Sequence, residues 1–520
     1  MNSRKLRFLV LLFIALLLVI STVKLHSTRG VEQHAALEKF TTHLDECIPA
    51  IMKDYDIPGV CTALIQQGKT VWTKAYGYAD LETGRRMTTD THCRVESISK
   101  SVTAWGVMKL VEQGVIELDR PVQSYLKNWR LPASEFSGEK VTVRRLLSHS
   151  AGLPLGTIGV RYDPEGEIPS LQASLSGDAI LQREPGQAFA YSNTGFNLLE
   201  MLIEEVTGRD FAEYMATEVL MPLGMCHASF TWSRTWEPPV PNGYDLKGKP
   251  VPVYVYPDKA SGGLFATVED IAAFVAAGMS DFSRAGLKVL NAESIRKLHT
   301  PAVKLPGFYG LAFDSYGFGH FIERLSNGAT AVSHGGQGSG WMTHFHFVPQ
   351  TGDGIVILTN SQRSWPFMAQ ILSDWAAWNG FSPVGMGRII VGQKALWLLI
   401  GLLLFVVLWQ ARRLALGLFS GERRFAPLST KARFLRSGQV GLSILFLAGL
   451  LWAVNQDYLF LSSLFPIASG WLGFMIFLSA VVLGLSSLFP LRGEKKPLRS
   501  NIPINVESYS EELLNEKQDD

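Results

Sequence analysis

The apolar positions of this chain fall into two kinds of pattern. Long uninterrupted runs stand near its ends, at residues 8–23, 395–410, 440–454 and 467–491, and periodic patterns fill the space between. The run at 8–23, behind Arg4, Lys5 and Arg7, is shorter than the ~20 residues a membrane crossing usually needs. It reads as a retained signal anchor or as the apolar core of a signal peptide, although no clear small-x-small cleavage site follows it. Both readings export what comes next. Arg and Lys load the connection between the second and third runs and follow the last one, whereas "NQDYLFLSSLFPIASG" (455–470) carries neither. Basic loops stay cytoplasmic. The pattern therefore predicts an inside N-terminus, an exported middle, three C-terminal crossings and an inside, acidic tail.

In the middle, residues 35–55 have helical periodicity. They lead into "GVCTALIQQGKTVWTKAYGYAD" (59–80), two alternating strands around a Gln67–Gly68 turn. At the far end, "WMTHFHFVPQTGDGIVILTN" (341–360) predicts a second hairpin turning at Thr351–Gly352–Asp353, followed by a helix over 365–378. Helical runs such as 196–206 and 211–221 occupy the region between. Strands at both ends with helices between them predict an α/β fold, an antiparallel sheet flanked by helices plus an all-helical subdomain. The expected domains are a signal anchor or signal peptide at 1–30, one α/β unit at 31–385, a three-helix transmembrane domain at 386–492 and a cytoplasmic tail at 493–520.

Charge removes one class of partner. With 48 Lys and Arg against 46 Asp and Glu, the chain has no basic footprint for a nucleic acid. The four cysteines, Cys47, Cys61, Cys93 and Cys226, allow three pairings among which sequence does not choose. Cys61 lies in an apolar strand and reads as a buried free thiol.

Candidate chemistry begins in "SISKSVTAWGVMKLVEQG" (97–114), a mostly apolar helix ended by a glycine. Residues three apart share a helix face, so Ser97 and Lys100 meet. A lysine desolvated against a buried helix can lose its charge and accept a serine proton. Free amides in the first turn can bind an oxyanion. Alone, S-x-x-K is weak and equally describes a capped helix with a surface lysine; a phosphate loop lacks its glycines. Two further stretches add to it. Tyr191–Ser192–Asn193 precedes a helix, and His334–Gly335–Gly336 ends a short strand. A tyrosine near Lys100 could relay a proton, and glycines at a strand edge let a substrate lie against the backbone.

S-x-x-K, Y-x-N and H-x-G in this order resemble the class C β-lactamase and penicillin-binding-protein-like serine hydrolases. "VTVRRLLSHSAGLP" (141–154) and "SGGLFATVEDIAAF" (261–274) are similar to that family's connecting segments, and the resemblance covers 35–378. It implies a serine β-lactamase-like fold with Ser97 as acylated nucleophile and Lys100 as its base. Tyr191 would take part in proton transfer, and Asn193 would bond the substrate amide. His334 and Gly336 would line the substrate site, and an oxyanion hole would form from the amides of Ser97 and Gln337. No metal or cofactor is implied.

Several residues depart from this pattern or imitate another. Glu96 is unusual beside the nucleophile; it either faces the site and raises the lysine's pKa, or binds local backbone or Arg94. His149 could imitate a triad base but reads as a buried histidine fixing a turn. His344 and His346 share a strand face without a third ligand, and His43 and His320 show no ligand spacing. The tryptophans at 232 and 236 read as cleft wall or loop packing. His334 stands where many relatives have lysine. A histidine is mostly neutral above its ordinary pKa of about 6.5, so the implied substrate is less a penicillin than another amide or ester.

The resulting expectation is a multi-pass plasma (inner) membrane protein with an extracytoplasmic serine hydrolase domain. Its substrate would be a peptide or acylated peptide, most of all one with a D-amino acid or an N-acyl group. The C-terminal spans resemble those of prodrug-activating peptidases of nonribosomal peptide systems, whose substrates carry a lipid tail in the bilayer. A β-lactamase, a D-alanyl-D-alanine carboxypeptidase and a broad esterase are the alternatives within the family. A β-lactam sensor is remote, because the 411–437 loop is short and no output domain is visible.

Overall fold

The computed structural model describes residues 31–156, 160–307, 309–381, 383–426, 433–456 and 459–491. The apolar run at 8–23 and the acidic tail lie outside them. Helix α1 (Leu37–Tyr55) leads into strands β1 (Gly59–Gln66), β2 (Lys69–Asp80) and β3 (Arg85–Arg86). The β1–β2 hairpin turns where expected. Gln67 and Gly68 both take positive φ, 48° and 67°, which a two-residue hairpin loop with right-handed strand twist requires.

Helices α2 (Ile98–Glu112), α3 (Asn193–Thr207) and α4 (Val268–Ala277) come next. Strands β4 (Val303–Lys304), β5 (Ser315–Tyr316), β6 (Phe321–Arg324), β7 (Thr330–Gly338), β8 (Trp341–Val348) and β9 (Asp353–Thr359) follow, then helix α5 (Trp365–Trp378). Nine strands form one sheet in the order β3-β2-β1-β9-β8-β7-β6-β5-β4. Every pair is antiparallel. The two ends of the domain meet in its centre, with Val60 opposite Thr359.

Both faces of the sheet are covered, and alternation sorts the side chains. Cys61, Ala63, Phe345, Phe347, Val356 and Leu358 enter the core shared with the helical region. Val60, Leu64, Met342, Ile355 and Ile357 enter the core beneath α1 and α5. The period of two along a strand produces this division. On the second face Phe40 stacks on Trp378 with ring centroids 4.2 Å apart. His43 Nε2 lies 3.0 Å from Asp374 Oδ2. The fold also draws Cys47 to this pair, with the three ligand-type atoms within 4.8 Å of one another. Sequence spacing revealed no such set around His43, since Asp374 comes from the far end of the domain.

All four cysteines are free thiols, and Cys61 is buried as its strand setting implied. The helical run 211–221 is helical throughout but changes type, with a π segment at Ala216–Leu220.

Beyond the sheet lie α6 (Arg388–Phe419), α7 (Arg433–Val454), a short α8 (Phe460–Leu464) and α9 (Ala468–Leu488). Three of these helices are long and apolar enough to cross a membrane, over Gly385–Phe419, Phe434–Val454 and Ala468–Leu488. The chain divides into two compact units. The first ends at Leu402 and also includes Ala453–Gly473; the second holds Leu403–Trp452 and resumes at Phe474. Within the second, the Ser443 hydroxyl donates to the Ala480 carbonyl (2.8 Å) and Arg436 Nε to the Ser487 carbonyl (2.9 Å), joining α7 to α9.

Candidate active site

Ser97 is the N-cap residue of α2, yet its hydroxyl makes no capping bond to the helix. A serine at this position ordinarily spends its oxygen on the free amides of the first turn. Here the hydroxyl meets Lys100 Nζ at 3.1 Å instead. The capped-helix reading of S-x-x-K does not describe this site.

Lys100 is fully buried, because α2 is buried on nearly every side. Its ammonium can donate three times, and three acceptors are in place: Ser97 Oγ, Asn193 Oδ1 at 2.7 Å and the Ser261 carbonyl at 2.6 Å. Burial pulls its pKa down from 10.5 to about 7. The neutral amine keeps two donors, enough for Asn193 and Ser261, and turns its lone pair to the serine hydroxyl. The arrangement can therefore take a proton from Ser97 near neutral pH.

Tyr191 stacks its ring under the amine, with Nζ 4.9 Å from the ring centroid. Burial raises the pKa of its phenol, and hydrogen bonding with Ser97 opposes that shift. The phenol stays protonated at neutral pH and can relay a proton rather than remove one as an anion. The loop that carries it is fixed by Ser192, whose hydroxyl caps α3 through the Gly195 amide at 2.9 Å. The Ser192 amide donates to His149 Nδ1 at 3.1 Å. His149 thus fixes a turn, as its sequence setting suggested, and its ring packs on Tyr191 at 4.3 Å. Asn193 gives its oxygen to Lys100, so its amide N–H groups are the end that can meet a substrate carbonyl.

Strand β7 forms the opposite wall. It is longer than the sequence implied, and His334 stands in its middle rather than at its end. Strand β6 pairs with β7 over Thr330–Ser333 alone. Among the described residues no strand covers the other edge of 334–338, so that edge can accept an extended chain. Gly336 and Gly338 bring β7 against the turn just before Ser97. A Cβ on Gly336 would stand 2.1 Å from the Val95 carbonyl oxygen, and one on Gly338 would stand 2.3 Å from Glu96 Cδ. Gln337 lies between them.

His334 does not present a cation. Its Nδ1 lies 2.8 Å from the Gly335 carbonyl, which can only accept, and its Nε2 lies 3.0 Å from the Tyr316 hydroxyl. The imidazole is then the Nδ1–H tautomer, accepting from tyrosine at Nε2. Burial, reinforced by the Lys100 charge, holds its pKa well below the ordinary value.

Glu96 has positive φ, 52°, immediately before Ser97. Such backbone is strained for a residue with a side chain and persists only where its surroundings impose it. Its carboxylate is buried and accepts from Arg94 Nε (2.9 Å), the Tyr254 hydroxyl (2.8 Å) and the Tyr256 hydroxyl (3.1 Å). Arg94 reaches on to the carbonyls of Tyr254 and Gly262. Glu96 binds Arg94, as one reading anticipated, and its charge also raises the Lys100 pKa against the dominant effect of burial. Beyond that Arg94–Glu96 pair, the Tyr254 and Tyr256 hydroxyls and the Ser261 carbonyl went unseen in the sequence.

The remaining candidates sit elsewhere. His344 and His346 are buried in the layer under α5, His346 against Trp375 at 5.5 Å. Trp236 stacks on His92 at 4.4 Å and packs on Phe265 at 5.5 Å, as loop packing.

A family model described as Beta-lactamase matches residues 44–373. Protein flp of Staphylococcus aureus (strain N315) is 26% identical over 237 residues, 44% of this chain and 47% of flp. The chain thus spans about half the length of that relative. Unguisins hydrolase ungD' of Aspergillus campestris (strain IBT 28561) is 26% identical over 338 residues, 61% of each chain. Among solved structures, the octameric penicillin-binding protein homologue from Pyrococcus abyssi superposes with a TM-score of 0.54 at 30% identity, covering 62% of this chain and 73% of that one.

Proposed function

This chain belongs to the beta-lactamase family of serine hydrolases, and on that premise we propose that it is a membrane-anchored peptidase or amidase working outside the cytoplasm. Ser97 attacks the scissile carbonyl while Lys100, in its neutral form, takes the hydroxyl proton. Tyr191 passes that proton to the leaving amine as the C–N bond breaks. The oxyanion is held by the amides of Ser97 and Gln337, and Asn193 and the open edge of β7 at His334–Gly336 orient the chain being cut. Water then attacks the Ser97 acyl ester and gives its proton to the same relay, which returns a proton to Ser97 Oγ as the acyl–Oγ bond breaks and the acid leaves. Residues 31–385 form the hydrolase domain and 386–492 the membrane domain, with the basic loops on the cytoplasmic side.

The observation that carries this reading is the convergence of Ser97, Asn193 and Ser261 on a buried lysine whose pKa is pulled to about 7. The state of His334 supports the choice of substrate. A neutral imidazole bonded to Tyr316 offers no fixed charge to a penicillin or peptide carboxylate, which favours an internal amide or an N-acylated residue. The edge of β7 from His334 on, which no described strand covers, suits an extended peptide. Both arguments favour a peptidase of D-amino-acid-containing or N-acylated peptides over a β-lactamase, a carboxypeptidase or a broad esterase.

The test uses membranes containing the full-length protein or its Ser97→Ala variant. N-acyl-D-asparaginyl peptides, D-alanyl-D-alanyl peptides and nitrocefin would be followed by mass spectrometry. Ser97-dependent release of an N-acyl-D-amino acid is the expected result. Cleavage of nitrocefin alone would make this a β-lactamase, and hydrolysis undiminished in Ser97→Ala would remove the mechanism.

A further inference from the structure

Two of the candidate spans, α7 and α9, are joined by a connector that belongs to the same compact unit as the hydrolase sheet. Its middle is α8, and within α8 Ser463 is fully buried. The partner of this hydroxyl is Gln337, whose Nε2 donates to Ser463 Oγ at 3.1 Å. The other end of the same amide is also held, because Trp365 Nε1 donates to Gln337 Oε1 at 3.0 Å. The Trp365 ring in turn lies over β7, where a Cβ on Gly335 would stand 2.7 Å from its Cη2. The Gln337 side chain is therefore clamped at both ends. One clamp comes from α5 and the other from the connector between two spans.

Gln337 is also the residue whose backbone amide faces the developing oxyanion in the reading above. A half-buried side-chain amide that loses one of two partners turns to find another, and the strand residue that carries it shifts with it. An oxyanion donor acts only if it is already in position, and a shift of ~1 Å at a reacting centre costs up to ~100-fold in rate. We propose that Ser463 is a positioning residue for the oxyanion hole, so that the connector between the second and third spans completes the active site. The inference rests on the roles proposed for Ser97 and Gln337. It gives the C-terminal membrane segment a part in the chemical step as well as in anchoring.

The test is phosphonylation of the full-length protein in detergent micelles by an alkyl fluorophosphonate, whose P=O occupies the position of the oxyanion. Initial binding (KI) and the covalent step (kinact) are measured separately. Ser463→Ala is expected to lower kinact about tenfold with KI within about twofold, consistent with a donor displaced rather than removed. Ser463→Thr, which keeps the hydroxyl, should recover most of the rate. Gln337→Met reads the same contact from the other side if Ser463→Ala folds poorly, and the double variant should be no slower than the worse single one. Ser462→Ala, one position away and half-buried, should match the wild type.

A kinact for Ser463→Ala within about twofold of wild type, or losses that multiply in the double variant, would overturn the inference alone. Labelling that persists in Ser97→Ala would instead overturn the active-site reading on which it stands.

Discussion

Lys100 and His346 are both fully buried basic side chains, and burial pulls the pKa of each down, to about 7 for the lysine and about 3 for the imidazole. Their surroundings differ. Around Lys100 three acceptors converge from α2, α3 and the segment before α4. Among the described residues, neither ring nitrogen of His346 has a hydrogen-bond partner, nor does either of its neighbour His344. The lysine can hold its proton or release it, because the charged form has a full set of acceptors and the neutral form leaves a lone pair toward Ser97. The histidine is locked neutral and only fills space beneath α5. A perturbed pKa by itself marks burial; it marks chemistry when the same burial comes with groups that serve both protonation states.

The comparison fails if the lysine proves dispensable. Lys100→Ala should lower the rate of Ser97 acylation by ~100- to 10,000-fold, the range for a lost general base. Tyr191→Phe should cost somewhat less, near the lower end of that range. Single-turnover kinetics would measure both, and a variant within tenfold of wild type would remove its residue from the mechanism.

Glu96→Ala should act mainly on stability. It strips the partner from a fully buried Arg94, a change that typically costs ~3–5 kcal/mol. Denaturant unfolding of the full chain in micelles would show it, and a loss below ~1 kcal/mol would mean that the tyrosines and carbonyls around Arg94 suffice.

A pH profile sharpens the comparison further. Lys100 must be neutral to act, so the acylation rate should fall about tenfold per unit below its pKa and level off above it. With that pKa at about 7, the slope lies on the acid side of neutrality. Because the Glu96 charge raises the pKa, Glu96→Gln should move the limb to lower pH. A shift to higher pH would contradict the assigned sign.

The smallest effect belongs to the other cluster. His346→Phe should leave turnover unchanged and stability within ~1.5 kcal/mol, as for a volume-tolerant core exchange. A large loss of activity would show that these histidines do more than pack.

The features legible in the sequence were local ones. Alternation located the 59–80 and 341–360 hairpins, and apolar length located three C-terminal helices long and apolar enough to cross a membrane. The one-turn spacing of Ser97 and Lys100 is a property of any helix, so their meeting could be read from four letters. Tyr191, Asn193 and His334 were assigned through resemblance, since nothing in their own neighbourhoods ties them to Lys100. The positive φ of Glu96 and its bonds to Tyr254 and Tyr256 were invisible, because they join segments some 160 positions apart that only the fold brings together. The two- and four-residue strands β4, β5 and β6 are too short to show alternation. Ser463 lay in a connector read only for its lack of Arg and Lys.

The most direct measurement is the site of covalent capture. Full-length protein treated with an alkyl fluorophosphonate would be digested and mapped by mass spectrometry, beside Lys100→Ala and Ser97→Ala. The account predicts one adduct, on the peptide containing Ser97, formed far more slowly in Lys100→Ala and absent in Ser97→Ala. An adduct on another side chain, or labelling at Ser97 that proceeds at the wild-type rate without Lys100, would contradict it.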